Sequence, residues 1–288
     1  MNEMQYWIWV SRVKKIGSIK WQRLLENFKT PQNIWNAKKE EIMSIKGIGE
    51  ETANEILNKE YRINLDKYEN YIKKNKIELI HINCREYPEK LNLLYDKPIV
   101  LYMKGNKELL NRFSLAIIGC RENTKYGEQV CKKISYDIAK NKIVTVSGMA
   151  KGIDSIAHKA TLKANGETIA VIGSGLDNIY PSDNIGLANE IIKNGGLIIS
   201  EYIIGTKPTK MNFPARNRII SGLSNGVIVI EAKKKSGTMI TVDFALEQGK
   251  EIFAVPGNIL SENSEGTNEL IKQGAKLVTN IKDILEEF

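Results

Sequence analysis

The stretch Met211–Ser224, MNFPARNRIISGLS, places two arginines, Arg216 and Arg218, two positions apart. Pro214 suits the first turn of a helix, because its missing N–H would be unpaired there anyway. ARNRIISGL then reads as helix, and GVIVIEA (226–232) as a buried strand. Both arginines therefore fall near the positive end of a helix dipole. That is the wrong end for a cation by ~0.3–1 kcal/mol each. A bound anion removes the conflict. So does a nearby loop carboxylate such as Glu201 or Glu231, and at least one of the two arginines is expected to be structural.

Other chemistry is thinly provided. The only histidines are His81 and His158. Asp154 precedes His158 by four residues on one helix, so the two can pair. An acid that opens the helix and fixes the imidazole is the plainer reading than an acid/base dyad. HExxH, G-x-S-x-G and clustered carboxylates are missing. Cys84, Cys120 and Cys131 are widely spaced with no CxxC, which suggests neither a disulfide frame nor a zinc site. Dinucleotide binding calls for G-x-G-x-x-G after a first strand. GCRENTKYG fails this, and GSGLDN has Gly173 and Gly175 but Asn178 in the third place. No G-x-x-x-x-G-K-[ST] is present. The expectation is no catalytic residue, no metal and no cofactor.

What must position the arginines is a regular alternation of strands and helices. LAIIGC (115–120), IVTVSG (143–148), TIAVIGSG (168–175), LIISE (197–201), VIVIEA (227–232) and EIFAVPG (251–257) are strands, each followed by a helical segment, and KLVT precedes a last short helix. Continuous runs rich in Val and Ile mark a mostly parallel sheet covered on both faces. The expected fold is α/β: an extended Rossmann-like, doubly wound sheet, with KIELIHI (76–82) and KPIVLYMKG (97–105) as extra strands in front. Ligands of such sheets bind beyond the carboxyl ends of the strands. The residues there, GCRENTKYG, SGMAKGID, GSGLDNIYP, SEYIIG, EAKKKSGT and PGNI, form a glycine-rich rim carrying Arg121, Lys151 and Lys233–Lys235. Phosphate is the natural occupant.

Residues 1–66 read as a separate helical domain, with apolar residues at three- and four-residue spacing. IKGIGEETANEIL (45–57) has the form of a helix–hairpin–helix turn. Its backbone N–H groups suit a DNA phosphate. The alternative is a plain hairpin turn, favoured by Glu50 and Glu51 beside it. Residues 67–288 form the sheet domain. The net charge of +8 favours a polyanionic partner, although a solvated lysine-rich surface gives the same balance. No apolar run approaches the ~18 residues that span a bilayer. MNEMQYWIWVSRVKKIG lacks the basic start of a signal peptide. A cytoplasmic protein with no membrane partner is expected.

IIGCRENTKYG, SGMAKGIDSIAHKATL, TIAVIGSGLDNIYP, LIISE, FPARNRIISGLS, VIVIEA, SGTMIT, FAVPGNI and GTNELIKQGA follow one another in the order of a known family. Together, from about residue 67 to 280, they resemble the DNA-processing protein A (DprA/Smf) family, and the N-terminal helices resemble the sterile-alpha-motif-like or helix–hairpin–helix-like domain of many members. The resemblance implies a non-catalytic protein that binds and protects single-stranded DNA in natural transformation, forms homodimers and loads RecA recombinase. It implies DNA contacts from Gly119 and Arg121, with Cys120 replacing the usual hydroxyl. Gly148, Lys151 and Gly152 of the S-G-x-A-x-G-I-D loop follow, with Asp154 and His158 as structural loop residues. Phe213, Arg216, Asn217 and Arg218 come from F-P-x-R-N-R, and Ser236, Gly237 and Thr238 from a further helix start. Phe213 either stacks on a base or packs at the helix entry. Leu270 and Ile271 would lie at the dimer interface or in the core. The winged helix that many relatives carry after the sheet is not expected before the last residue, Phe288.

The rival is a nucleotide-binding or nucleotide-hydrolysing protein of the lysine decarboxylase-like (LOG) type. That family carries P-G-G-x-G-T-x-x-E with a catalytic Glu. Alignment on SGTMIT puts Thr241 at that position, and KKKSGT lacks the paired glycines.

Overall fold

Nine strands form one sheet, and a computed structural model describes all of residues 1–288. The strands are β1 (Glu78–His81), β2 (Val100–Gly105), β3 (Ser114–Ile118), β4 (Val144–Ser147), β5 (Thr168–Val171), β6 (Leu197–Ser200), β7 (Gly226–Val229), β8 (Glu251–Ala254) and β9 (Lys276–Leu277). Their order is β1-β2-β6-β5-β4-β3-β7-β8-β9. From β6 to β9 every pairing is parallel. The two front strands pair antiparallel, β1 on β2 and β2 on β6.

Pleating sends neighbouring residues of a strand to opposite faces. In β3, Ala116 and Ile118 join one apolar cluster and Leu115 and Ile117 another. This is why the central strands read as unbroken hydrophobic runs.

The helices are α1 (Glu3–Arg12), α2 (Ser18–Phe28), α3 (Pro31–Asn36), α4 (Lys39–Met43), α5 (Glu50–Leu57), α6 (Leu65–Lys74) and α7 (Glu89–Asn92), then α8 (Lys125–Lys140), α9 (Ile153–Lys163), α10 (Ile185–Lys193), α11 (Asn212–Leu223), α12 (Gly237–Glu247), α13 (Glu262–Lys272) and α14 (Lys282–Leu285). One sheet face packs on α7, α11, α12 and α13, and the other on α8, α9 and α14.

The N-terminal helices share a core with the edge strands. Trp7, Trp9, Trp21 and Leu24 cluster with Ile77, Val100 and Tyr102. Ser11 Oγ and Tyr102 Oη are hydrogen bonded at 2.7 Å, and Trp7 stacks on His81 at 4.0 Å. The boundary expected between residues 66 and 67 falls inside α6. Between α4 and α5, Arg23 Nη1 donates to the Lys46 carbonyl, while Glu50, in the first turn of α5, takes Lys39 at 2.7 Å. A carboxylate thus already answers the dipole where a DNA phosphate would sit.

The chain leaves β3 toward β4, β5 and β6, then returns to add β7, β8 and β9 on the other side. The strand order reverses between β3 and β7. A crevice opens at such a point, beyond the carboxyl ends of the two strands.

Candidate nucleic-acid interface

A cleft of about 600 Å³ occupies that crevice. Its walls come from the loop after β3 (Gly119–Glu122), the start of α9 (Ala150, Asp154), the start of α11 (Lys210–Asn217) and the start of α12 (Lys233–Thr238). Of the expected DNA contacts, Gly119, Arg121, Phe213, Arg216, Asn217, Ser236, Gly237 and Thr238 meet here.

Arg121 is exposed and has no carboxylate partner within the chain. Its guanidinium lies 5.8 Å from the centroid of the Phe213 ring, within cation–π range. The loop beneath it is fixed by backbone bonds. Cys120 N–H donates to the Glu231 carbonyl at 2.9 Å, and Ile153 N–H donates to the Cys120 carbonyl at 3.2 Å. Gly152 makes this approach possible. It has φ +79°, and a Cβ there would lie 2.3 Å from the Cys120 carbonyl oxygen. Gly152 therefore seats the Arg121 loop from below and is not itself part of the cleft wall. The Cys120 thiol is pushed up to about 11, chiefly by burial and then by Glu231. It stays protonated and donates weakly.

The two arginines of α11 divide their work. Arg218 is buried, and its Nη1 and Nη2 bind both oxygens of Glu201 at 2.9 and 2.7 Å. Its Nε lies 3.0 Å from Asp96 Oδ2. These acids hold the guanidinium above its usual range against the opposing effect of burial. Four of its five N–H donors are committed within the fold, and Arg218 does not line the cleft, so its place in the structure is that of a brace and not of the expected DNA contact. Glu231 takes no arginine. It accepts from Thr124 N–H at 2.9 Å and from the Thr124 hydroxyl, at the cap of α8.

Arg216 is also buried, and its Nη1 donates to the carbonyls of Gly148 and Val171. Burial lowers it to about 10, with Asp154 opposing the shift. Its Nη2 makes no hydrogen bond within the chain, and the residue lines the cleft. One face of the guanidinium thus braces the sheet edge, and one nitrogen is left for a ligand. Gly148 is buried beneath this group. A Cβ there would lie 2.7 Å from Asp154 Oδ2 and 2.9 Å from Arg216 Cζ. Gly148 therefore makes room for the arginine, and it does not line the cleft.

Asp154 and His158 do not pair. Asp154 accepts from Ala150 N–H at 3.3 Å and so holds the loop before α9. His158 Nδ1 lies 2.7 Å from Thr168 Oγ1, whose proton goes to the Thr145 carbonyl. Nδ1 is therefore the protonated nitrogen. Burial drives His158 down to about 3 and raises Asp154.

Lys151 follows the cleft residue Ala150 without lining the cleft itself, and is held by Asp183 at 2.8 Å. Lys233 is held likewise by Glu262 at 2.7 Å. Exposed pairs of this kind are worth ~0–1 kcal/mol and exchange partners readily. Ser236 Oγ is buried with no partner, and no side chain caps α12. The first N–H groups of a helix have no intrahelical acceptor, so those of Gly237 and Thr238 remain available beside the cleft. Leu270 is buried in the core under β8, the packing alternative, while Ile271 is half-buried.

Three further residues complete the cleft, of which Tyr180 belongs to the rim segment GSGLDNIYP without being singled out there. Lys210 is exposed, and Tyr180 meets Phe213 with ring centroids 5.6 Å apart. Asn263 donates to the Glu122 carbonyl at 2.8 Å and closes one wall. Lys210 stands three residues before Phe213 in KMNFP, a signal within reach of the sequence. Tyr180 and Asn263 arrive from distant loops.

Comparison with known proteins identifies the family and the fold. The family model for DNA recombination-mediator protein A matches residues 78–288, and one for a SAM-like helix-hairpin-helix tandem matches residues 10–59. Over 202 residues the chain is 49% identical to DNA processing protein DprA of Streptococcus pneumoniae, covering 70% of this chain and 71% of that protein. It is similar to an X-ray structure of DprA from Streptococcus pneumoniae with a TM-score of 0.86 at 38% identity, covering 100% and 99% of the two chains. It is also similar to DNA processing protein A from Helicobacter pylori, a structure described for its single-stranded DNA binding mode. There the TM-score is 0.67 at 36% identity, covering 74% and 95%.

Proposed function

The chain belongs to the DNA recombination-mediator protein A family, and from that premise we propose that it binds single-stranded DNA in the β3–β7 cleft. One observation carries this reading: Arg121, an exposed cation without an acid partner, stands over Phe213 at the mouth of the cleft. A cation beside an aromatic face suits a phosphate followed by a splayed base. Lys210, the free nitrogen of Arg216, Asn217, Ser236 and the first N–H groups of α12 add phosphate and sugar donors around it. Lys151 and Lys233 join by exchanging a carboxylate for a phosphate. The Helicobacter pylori relative, described as binding single strands, supports the same ligand.

The role is mediation without catalysis, in the cytoplasm: the protein shields incoming single strands during transformation and hands them to RecA. It acts as a homodimer, with Ile271 near the contact. Against a LOG-like hydrolase, Thr241 lies where that family's glutamate belongs, and it is buried at the cleft wall.

Fluorescence anisotropy on a labelled 20-mer tests the binding, with unlabelled duplex and mononucleotide as competitors. The single strand is expected to resist both. Displacement by a mononucleotide at lower concentration than by the oligonucleotide would sink the proposal. Sedimentation of the free protein, and RecA assembly on the strand with and without it, test the two partners.

A further inference from the structure

We propose that Tyr180, together with Phe213, forms a two-base stacking ledge that selects single strands over duplex; the inference rests on the DNA reading above. Tyr180 lines the cleft and is 49% exposed, unlike most large aromatic residues of the chain. Its hydroxyl makes no hydrogen bond within the chain, so nothing in the fold requires its polar end. Its ring meets that of Phe213 at 5.6 Å with an interplanar angle of 36°.

The spacing decides how bases are held. A base sandwiched between two rings needs about 7 Å, twice the ~3.4 Å stacking rise of a strand. At 5.6 Å and 36° no base fits between these rings. A base therefore reaches each ring from outside the pair, on Phe213 by displacing the exposed Arg121 guanidinium that stands over that ring, and successive bases lie along the ledge. Bases in a duplex have both faces covered by their neighbours, so only an unstacked strand can use it.

The ledge is rigid. On one side of Tyr180, the Asn178 carbonyl accepts from Ser174 Oγ at 2.6 Å. On the other, Asn184 donates to the Met149 carbonyl at 2.7 Å and to Ser155 Oγ at 2.9 Å. Asn212 donates to the Gly173 carbonyl at 3.0 Å and fixes the helix start that carries Phe213. Arg121 lies beside Phe213, and Lys151 is paired to Asp183, three residues after Tyr180. The ledge thus runs between two phosphate-binding cations.

The test compares wild type, Tyr180→Phe and Tyr180→Ala on a labelled 20-mer, on the same strand with abasic sites throughout, and on duplex. Tyr180→Phe should match wild type. Tyr180→Ala should lose roughly fivefold to a hundredfold in affinity for the normal strand. It should lose little on the abasic strand or on duplex, and its salt slope should stay unchanged. Tyr180→Trp should show indole quenching with single strands and not with duplex. An equal loss on normal and abasic strands would make Tyr180 a mere support of its loop and overturn the proposal. So would Tyr180→Ala binding like wild type. Failure of the wild type to bind any single strand is a different result, and it refutes the DNA reading itself.

Discussion

The guanidinium of Arg218 holds both carboxylate oxygens of Glu201, at 2.9 and 2.7 Å, across the connection from β6 to α11. Two positions earlier, Arg216 faces the other way, toward the Gly148 and Val171 carbonyls and the cleft. A helix start that carries two cations thus has one neutralised within the fold and one partly reserved for a ligand. The bond also ties the end of β6 to the helix that presents Phe213, so cleft geometry depends on a pair outside the cleft lining.

Arg218→Ala should therefore act on stability. Removing one partner of a buried ion pair costs about 3–5 kcal/mol, because Glu201 is left uncompensated. Chemical denaturation should show that loss. A variant as stable as wild type that had lost DNA binding would mean that Arg218 reaches the ligand after all.

His158 should give the protein a measurable acid sensitivity. Its folded value of about 3 lies below the ~6.5 of an unfolded chain. As pH falls through 6.5 the unfolded state takes the proton first, so this group costs stability below that pH. The slope is up to ~1.4 kcal/mol per pH unit, and it ends near the folded value. Above pH 7 the group has no effect. Unfolding free energies from pH 7 to 4 should decline more steeply for wild type than for His158→Asn. Parallel profiles would show that His158 is not buried neutral.

Gly152→Ala should displace the Arg121 loop. The new Cβ would meet the backbone oxygens of Cys120 and Arg121 at 2.3 and 2.5 Å, and backbone cannot swing aside. A destabilisation above ~1 kcal/mol is expected, with weakened DNA binding. Gly186→Ala, on α10 with open space around it, is the matched control and should be neutral or slightly stabilising. Equal behaviour of the two variants would contradict the role given to Gly152.

Phe213→Ala should weaken single-strand binding by ~1–3 kcal/mol without changing its salt dependence, since stacking releases no counterions. A change in salt slope would mean that the substitution acts through Arg121.

Much of this was legible in the sequence because the signals are local. Hydrophobic runs mark eight of the nine strands, and the positions after the parallel ones mark the rim; β9, only Lys276–Leu277, is too short to stand out in KLVT. The front strands read as extended, but nothing in KIELIHI or KPIVLYMKG says that they pair antiparallel at the β6 edge, since pairing partners are set by tertiary packing. Arg218 carried an ambiguity that only space resolves: Glu201 is 17 positions away, and its distance from the guanidinium is not written in the motif. Gly148 and Gly152 were read as ligand-approach glycines. Both are needed for close packing against other parts of the chain, which a glycine codon signals just as well. Tyr180 stands in the rim segment GSGLDNIYP, but its pairing with Phe213, 33 positions away, is set by tertiary packing and is not written in either motif.

The central claim is that the Arg121 cleft is the strand's binding site. The most direct test measures anisotropy of a labelled single-stranded 20-mer across a salt series, for wild type and Arg121→Ala. The wild type should bind with an affinity that falls steeply with salt. The variant should lose most of that affinity, and its log–log salt slope should shrink by ~0.7 for each phosphate contact removed. Equal affinity and equal slope for the two proteins would place the DNA elsewhere and contradict the account.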